Sequence, residues 1–251
     1  MGSALLIGLI DAGWAPVEEL AVCDPDPARR KSLSDARPGL TVADLPMPAD
    51  AAVLAVKPDV AEAVLRTLAA VGITRVLSIV AGLSSARLEA ALGPDDVVVR
   101  AMPNTPSLIG AGVAGLSGGS RAAAADLDWA EGILDSVGTV VRLPERHLDA
   151  VTGVSGSGPA YIFLVAEAMI EAGVVAGLTR EVSQRLVVGT TLGAARMMAE
   201  TGEDPGELRA AVTSPGGTTA AALRTLESKA VRSAFIEAVA AATERSRQLG
   251  R

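Results

Sequence analysis

The stretch ADAAVLAVKPDVAEAVLRTLAA, Ala49 to Ala70, decides the fold class. Ala52 to Val56 is an unbroken apolar run, as expected of a strand buried on both faces. Lys57 and Pro58 close the run, and a helix is expected from Val60 to Ala70. Outward from this unit the same alternation repeats. Strands are expected at Leu20 to Cys23, Leu40 to Val42, Val76 to Val80, Val97 to Arg100 and Thr139 to Leu143. Helices are expected at Ala28 to Ser34, Ser84 to Leu92 and Ala122 to Ser136. Strands alternating with helices imply βαβ units and a mostly parallel sheet, hence a Rossmann-like α/β domain.

From about His147 the character changes. Long helical segments follow, at Ala160 to Ala172, Glu181 to Glu200, Pro205 to Val212, Thr218 to Leu226 and Val231 to Leu249, with no strand signal. Gly177 is placed to end one helix, and Thr179 to cap the next. The expected organisation is a dinucleotide-binding domain over 1–146 and an all-α domain over 147–251, divided by the polar turn Pro144 to Asp149.

The opening MGSALL reads as a helix already under way. A doubly wound domain begins with a strand and a glycine-rich turn. Gly2 then stands as the third glycine of a G-x-G-x-x-G fingerprint, and Asp24, 22 positions later and after the next strand, as the acidic residue that meets a ribose. The expectation is that a strand and turn, about 10–12 residues, belong upstream of Met1.

Composition narrows the chemistry. The chain has 251 residues, formal charge −7, 49% hydrophobic, 20% charged and 2% aromatic residues, and a single His, Cys and Tyr. His147 alone builds no multi-histidine metal site, and Cys23 alone closes no intrachain disulfide or thiolate zinc cluster, so no metal is expected. A Ser-His-Asp hydrolase would depend on His147, which reads as structural. Cys23 reads as a small core residue. The acidic balance argues against nucleic acid as a partner. Mean hydropathy is +0.38, yet the longest uncharged stretch, Ala101 to Ser120, is broken by prolines and glycines and makes a poor spanning helix. No basic segment precedes an apolar one at the N-terminus. A cytoplasmic, soluble protein without a membrane partner is expected, with its difficult chemistry borrowed from a cofactor.

Four motifs concentrate that chemistry. Val56-Lys57-Pro58 ends a buried strand, where open α/β sheets bind ligands. RAMPNTP, Arg100 to Pro106, places Asn104 just past another strand end, within reach of a nicotinamide or ribose. SGSGPAY, Ser155 to Tyr161, allows close backbone approach, with Pro159 suited to a helix start. SPGGTT, Ser214 to Thr219, is a glycine-rich turn at a helix N-terminus; its amides and hydroxyls suit a carboxylate.

Together these segments resemble the Δ1-pyrroline-5-carboxylate reductase family over essentially the whole chain. The matching stretches are MGSAL at Met1, VKP at Val56, SIVAG at Ser78, RAMPNTP at Arg100, DAVTGVSGSGPAY at Asp149 and VTSPGGTTAAAL at Val212. The resemblance implies a Rossmann domain and a helical domain that dimerises by interleaving helices, with dimers often assembling into decamers. It places each active site between the nucleotide domain of one subunit and the helical domain of its partner. Ser214, Thr218 and Thr219 then bind the substrate carboxylate and ring nitrogen, on a loop shaped by Gly216 and Gly217. Val56, Lys57 and Pro58, with Ala81, Gly82, Met102 and Asn104, border the nicotinamide. Gly2 and Ser3 meet the pyrophosphate.

The implied reaction reduces the C=N bond of pyrroline-5-carboxylate to give L-proline. The substrate is best bound as an iminium, whose charge needs no strong protein acid. Asp24 favours NADH, whereas Arg29, Arg30 and the resemblance favour NADPH, which is the expectation. Two rivals remain: a reductase of another cyclic imine, and a non-catalytic oligomeric binding protein that has lost nucleotide binding.

Overall fold

The computed structural model describes residues 1–250. Helix α1 (Gly2–Asp11) leads to strand β1 (Ala21–Cys23), α2 (Pro27–Ala36) and β2 (Thr41–Ala43). Then come β3 (Ala52–Leu54), α3 (Pro58–Ala70), β4 (Arg75–Ser78), α4 (Ser85–Glu89) and β5 (Val97–Met102). A 3-10 turn at Thr105–Ile109 enters β6 (Gly112–Gly118), followed by α5 (Ala124–Asp135) and β7 (Gly138–Arg142). Among the described residues β1 and β2 form a two-stranded parallel sheet, and β3-β4-β5-β6-β7 a five-stranded one. Its pairings are parallel except β5 with β6. The α/β reading of this part holds, and strands β1 to β5 and β7 lie where expected to within two residues.

Strand β6 was not foreseen. Its sequence GVAGLSG has little β-branching, and the stretch around it reads as turn-rich. Tertiary contacts override that propensity. Strand β6 runs antiparallel to β5, with Arg100 opposite Ser117, and parallel to β7, with Val113 opposite Thr139. Small residues suit this crowded position: a Cβ at Gly115 would lie 3.0 Å from the methyls of Val151.

Alternate residues of the central strands fill two separate cores, following the two-residue period of a strand. Leu77, Val99 and Leu116 pack with Leu5 of α1 and Ile133 and Leu134 of α5. On the opposite face Leu54, Val76 and Val98 pack with Leu65, Leu68 and Leu88. Helix α3 starts at Pro58, with fixed φ and no amide to waste. Ser84 caps α4, its hydroxyl accepting from the Arg87 amide.

Beyond β7, α6 (Leu148–Val151) runs into a π-helical turn at Thr152–Gly156. Helices α7 (Gly158–Val175), α8 (Arg180–Thr201), α9 (Pro205–Ala211), α10 (Thr218–Ser228) and α11 (Val231–Leu249) complete the chain. Thr179 caps α8 as expected, accepting from the Val182 amide, and Gly177 takes a left-handed φ of 103°. By contact the chain divides into Met1–Ser157 with the C-terminal end from Ala240, and Gly158–Val239. The compact units part at Ser157, because α6 packs on β6 and the end of α11 groups with the first unit.

Within the helical unit α7 and α8 pack closely. Ser183 is buried, its hydroxyl donating to Ile170 O, and a Cβ at Gly173 would fall on that hydroxyl. Much of the remaining apolar surface is bare: Phe163 is 67% exposed and Ile236 70%. The helical run Glu145–Val175 is long and apolar enough to cross a membrane by length and composition. Glu167 and Glu171 interrupt it within α7, so it is not the longest uncharged stretch of the sequence.

Gly138 is fixed by packing: a Cβ there would stand 2.0 Å from the Gly112 carbonyl oxygen at the start of the β6–β7 pairing. Gly138→Ala is expected to lower stability by about 3 kcal/mol, the upper end for overpacking. Urea unfolding checks this; an unchanged midpoint would contradict it.

Candidate active site

Three turns leave the C-terminal ends of the parallel strands β3, β4 and β5. They carry Val56–Pro58, Ile79–Gly82 and Met102–Asn104, the end at which open α/β sheets bind ligands. Lys57 is exposed at the N-cap of α3. The first turn of α1 lies beside the β3 end, where a Cβ on Gly2 would come 2.9 Å from that of Ala55. Gly82 adopts φ +82°, and a Cβ there would meet Leu249 and Gly250 at 3.1 Å. The C-terminal end of α11 therefore rests on this turn.

The loop after β1 is locked by hydrogen bonds. The Asp24 carboxylate accepts from the Asp26 amide at 2.8 Å and lies 3.7 Å from the Arg29 guanidinium. Arg30 Nη1 donates to the carbonyls of Asp24 and Pro25. Arg30 is thus committed to the backbone, whereas the Arg29 side chain is 73% exposed.

Asn104 is buried, and its carboxamide serves the protein itself. Oδ1 accepts from the Val113 amide at 2.9 Å, and Nδ2 donates to Ser155 O at 3.1 Å. The expected loop thus joins β6 and the SGSGPAY segment. Sequence reasoning missed a second link. Arg100 Nη1 donates to Glu145 at 2.6 Å, and Glu145 also accepts from the Ser85 amide and hydroxyl, both at 2.6 Å. This ties the end of β5 and the start of α4 to the turn before α6. Spacings of 45 and 60 residues hide it; the available signal was an arginine inside an apolar strand.

In the helical unit, Ser214 to Gly217 form the turn that opens α10. The Gly217 amide donates to Ser214 O at 3.0 Å, and Gly216 takes a left-handed φ of 67°. Ser214 and Thr218 are exposed and Thr219 half-buried. The turn presents three hydroxyl-bearing residues around a helix N-terminus, a geometry suited to an anion. Thr213 is turned away, its hydroxyl donating to Arg209 O.

His147 is exposed beside an apolar groove of about 330 Å³ lined by Val113, Val141 and Val154. Cys23, read as a core residue, is exposed; its thiol donates to Leu45 O at 3.1 Å. Among the described residues the three-residue strand that carries it pairs only with β2, and no buried cluster covers the face on which Cys23 lies.

The fold and the strand-end turns define a nicotinamide-dependent oxidoreductase: a Rossmann-like nucleotide unit joined to a helical unit. The family described as pyrroline-5-carboxylate reductase dimerisation matches residues 145–249. Pyrroline-5-carboxylate reductase of Synechocystis is 44% identical, the match covering 100% of this chain and 95% of that protein. A solved reductase of that name from Coxiella burnetii superposes with a TM-score of 0.91 at 35% identity, covering 100% and 95% of the two chains. A pyrroline carboxylate reductase from Plasmodium falciparum, solved with NADP bound, gives 0.86 at 32% identity over the same shares. The chain belongs to the pyrroline-5-carboxylate reductase family.

The Glu145 carboxyl is held below its ordinary value of 4.5. Burial opposes its ionisation but is outweighed by the Ser85 hydroxyl and amide and by the Arg100 guanidinium. A carboxylate with a lowered folded-state pKa stabilises the fold above its unfolded value, and that contribution is lost as pH falls through the lowered one. Acid titration of stability is therefore expected to show a steeper loss below about pH 4.5 in the wild type than in Glu145→Gln. Parallel curves would remove the pair from the ledger.

Proposed function

We propose that this chain reduces Δ1-pyrroline-5-carboxylate to L-proline at a site built from the turns described above. The observation that carries the reading is the SPGGTT turn, an open helix N-terminus ringed by Ser214, Thr218 and Thr219 in a member of this family. Residues on the nucleotide unit fit a dinucleotide: Gly2 brings the first turn of α1 against the β3 end, where Gly2 and Ser3 meet the pyrophosphate. Val56, Lys57, Pro58, Ala81, Gly82, Met102 and Asn104 border the nicotinamide. When bound, the reduced nicotinamide supplies the hydride.

The protein's own part is binding and orientation. The Gly216 amide and the hydroxyls of Ser214 and Thr218 hold the substrate carboxylate, while the Gly217 amide closes the turn on Ser214 O. The Thr219 hydroxyl hydrogen-bonds the ring nitrogen, fixing which face of the C=N carbon is presented. The iminium arrives protonated from solution, so the site needs no strong acid. Positioning and fixed dipoles supply the rate.

NADPH is the preferred cofactor in this reading, with NADH accepted. The Asp24 carboxylate already accepts a backbone hydrogen bond and faces Arg29, which weakens its repulsion of a 2′-phosphate. The exposed Arg29 is free to move onto that phosphate. The active protein is a cytoplasmic homodimer, capable of further assembly to a decamer. Each site takes its nucleotide turns from one subunit and its SPGGTT turn from the partner. The bare apolar faces of α7 and α11 support that pairing.

NADPH oxidation with pyrroline-5-carboxylate tests the reaction, and parallel assays with other cyclic imines test its range. Thr219→Ala is expected to lower kcat about 100-fold with an unchanged Tm; wild-type kinetics would remove Thr219 from the site. Arg29→Ala is expected to lower kcat/KM about tenfold with NADPH and to leave NADH unaffected. An equal effect on both cofactors would overturn the role of Arg29.

A further inference from the structure

The Asn104 carboxamide meets a specific need. Ser155 lies in the π-helical turn Thr152–Gly156, which is closed by the Ser157 amide donating to Thr152 O at 2.8 Å. In a regular helix the Ser155 carbonyl would accept from the amide four residues on. That residue is Pro159, which has no N–H. Asn104 Nδ2 supplies the donor that Pro159 lacks. The same turn is gripped a second time, since a Cβ at Gly156 would stand 2.9 Å from the Met102 methyl. The turn is well anchored on its other side. Thr152 and Ser155 hydroxyls donate to Leu148 O and Val151 O, and Val151 packs against Gly115 of β6. Asn104 Oδ1 meanwhile holds the Val113 amide at the entrance to β6.

We propose that Asn104 is a positioning residue for the reduction. It clasps the Met102–Asn104 turn to the π-turn Thr152–Gly156, so that the nicotinamide border has a single geometry before any cofactor arrives. The inference rests on the reading that this turn borders the nicotinamide. Its action passes through Ser155 O and Val113 N, not through a hydrogen bond from the carboxamide to the cofactor.

The variant Asn104→Asp separates these roles by pH. The introduced carboxyl keeps the acceptor for Val113. Ionised, it sets a negative oxygen against the Ser155 carbonyl; protonated, it donates as the amide does. Burial beside a carbonyl raises its pKa above the ordinary value of about 3.9. Hydrogen exchange is measured on cofactor-free protein, against wild type at the same pH, with kcat expressed per NADPH-binding site.

At about pH 8 the segments 102–115 and 150–158 are expected to exchange about tenfold faster than wild type. Turnover per site falls by a similar factor of about ten, and both recover towards wild type near pH 5.5. Asn104→Ala, which carries no charge, gives the same losses without recovery and stands in if the aspartate variant does not fold. Wild-type exchange in the cofactor-free variants with lowered turnover would make Asn104 a direct ligand and overturn the proposal. Faster exchange with unchanged turnover per site would make the clasp purely structural and also overturn it. Absence of pyrroline-5-carboxylate reduction in the wild type would fail the reductase reading instead, and is told apart by that control.

Discussion

Strand β5 lies between a parallel neighbour and an antiparallel one, and its residues alternate between two cores. Val98 enters the core under α3 and α4, and Val99 the core under α1 and α5. A shift of one residue would exchange these faces and bury the wrong set, so the register of the sheet depends on this strand. Arg100 follows on the Val98 face, where the ion pair with Glu145 at 2.6 Å offsets the cost of its largely buried guanidinium. With Arg100 paired, the turn beyond it, Met102 to Asn104, leaves the sheet in one direction. The entrance to β6 and the π-turn before α7 attach to that segment through Asn104, and the start of α4 joins Arg100 through Glu145.

Such attachment matters in a chain so poor in acid–base side chains. His147 is exposed at a groove, and Cys23 is exposed at the end of β1 with its thiol donating to Leu45 O. Reduction of an imine by a nicotinamide asks for geometry more than for proton transfer. Hydroxyls, backbone amides and rigid turns provide geometry at low cost in charge, which also suits an acidic protein binding an anionic substrate.

The helical unit follows another logic. Its α7–α8 contact is tight enough to need glycine at Gly173, yet Phe163 and Ile236 stand in solvent in the single chain. Exposed apolar patches of that kind mark interaction sites. The dimerisation family match over residues 145–249 covers the same helices. Much of the apolar content that looks membrane-like in the sequence lies on helices of the region that matches the dimerisation family.

Periodicity alone located nearly every strand and helix, because period 2 and period 3.6 record which face is buried. It also found the four motifs, whose glycines and prolines mark turns by local backbone physics. Strand β6 escaped, since GVAGLSG becomes a strand only through β5, β7 and the crowding of Val151. The parting of the compact units at Ser157 depends on where α6 and the end of α11 pack, which no local pattern records. The motif around Asn104 is legible in the sequence, but the partners of its carboxamide and the role of Glu145 are not. The sequence by itself determined the fold class, the family and the glycine- and proline-marked turns, because each rests on local pattern. Tertiary structure alone decided which distant residues hold those turns still, because partners 45 to 60 residues apart share no local signal until the sheet brings them together.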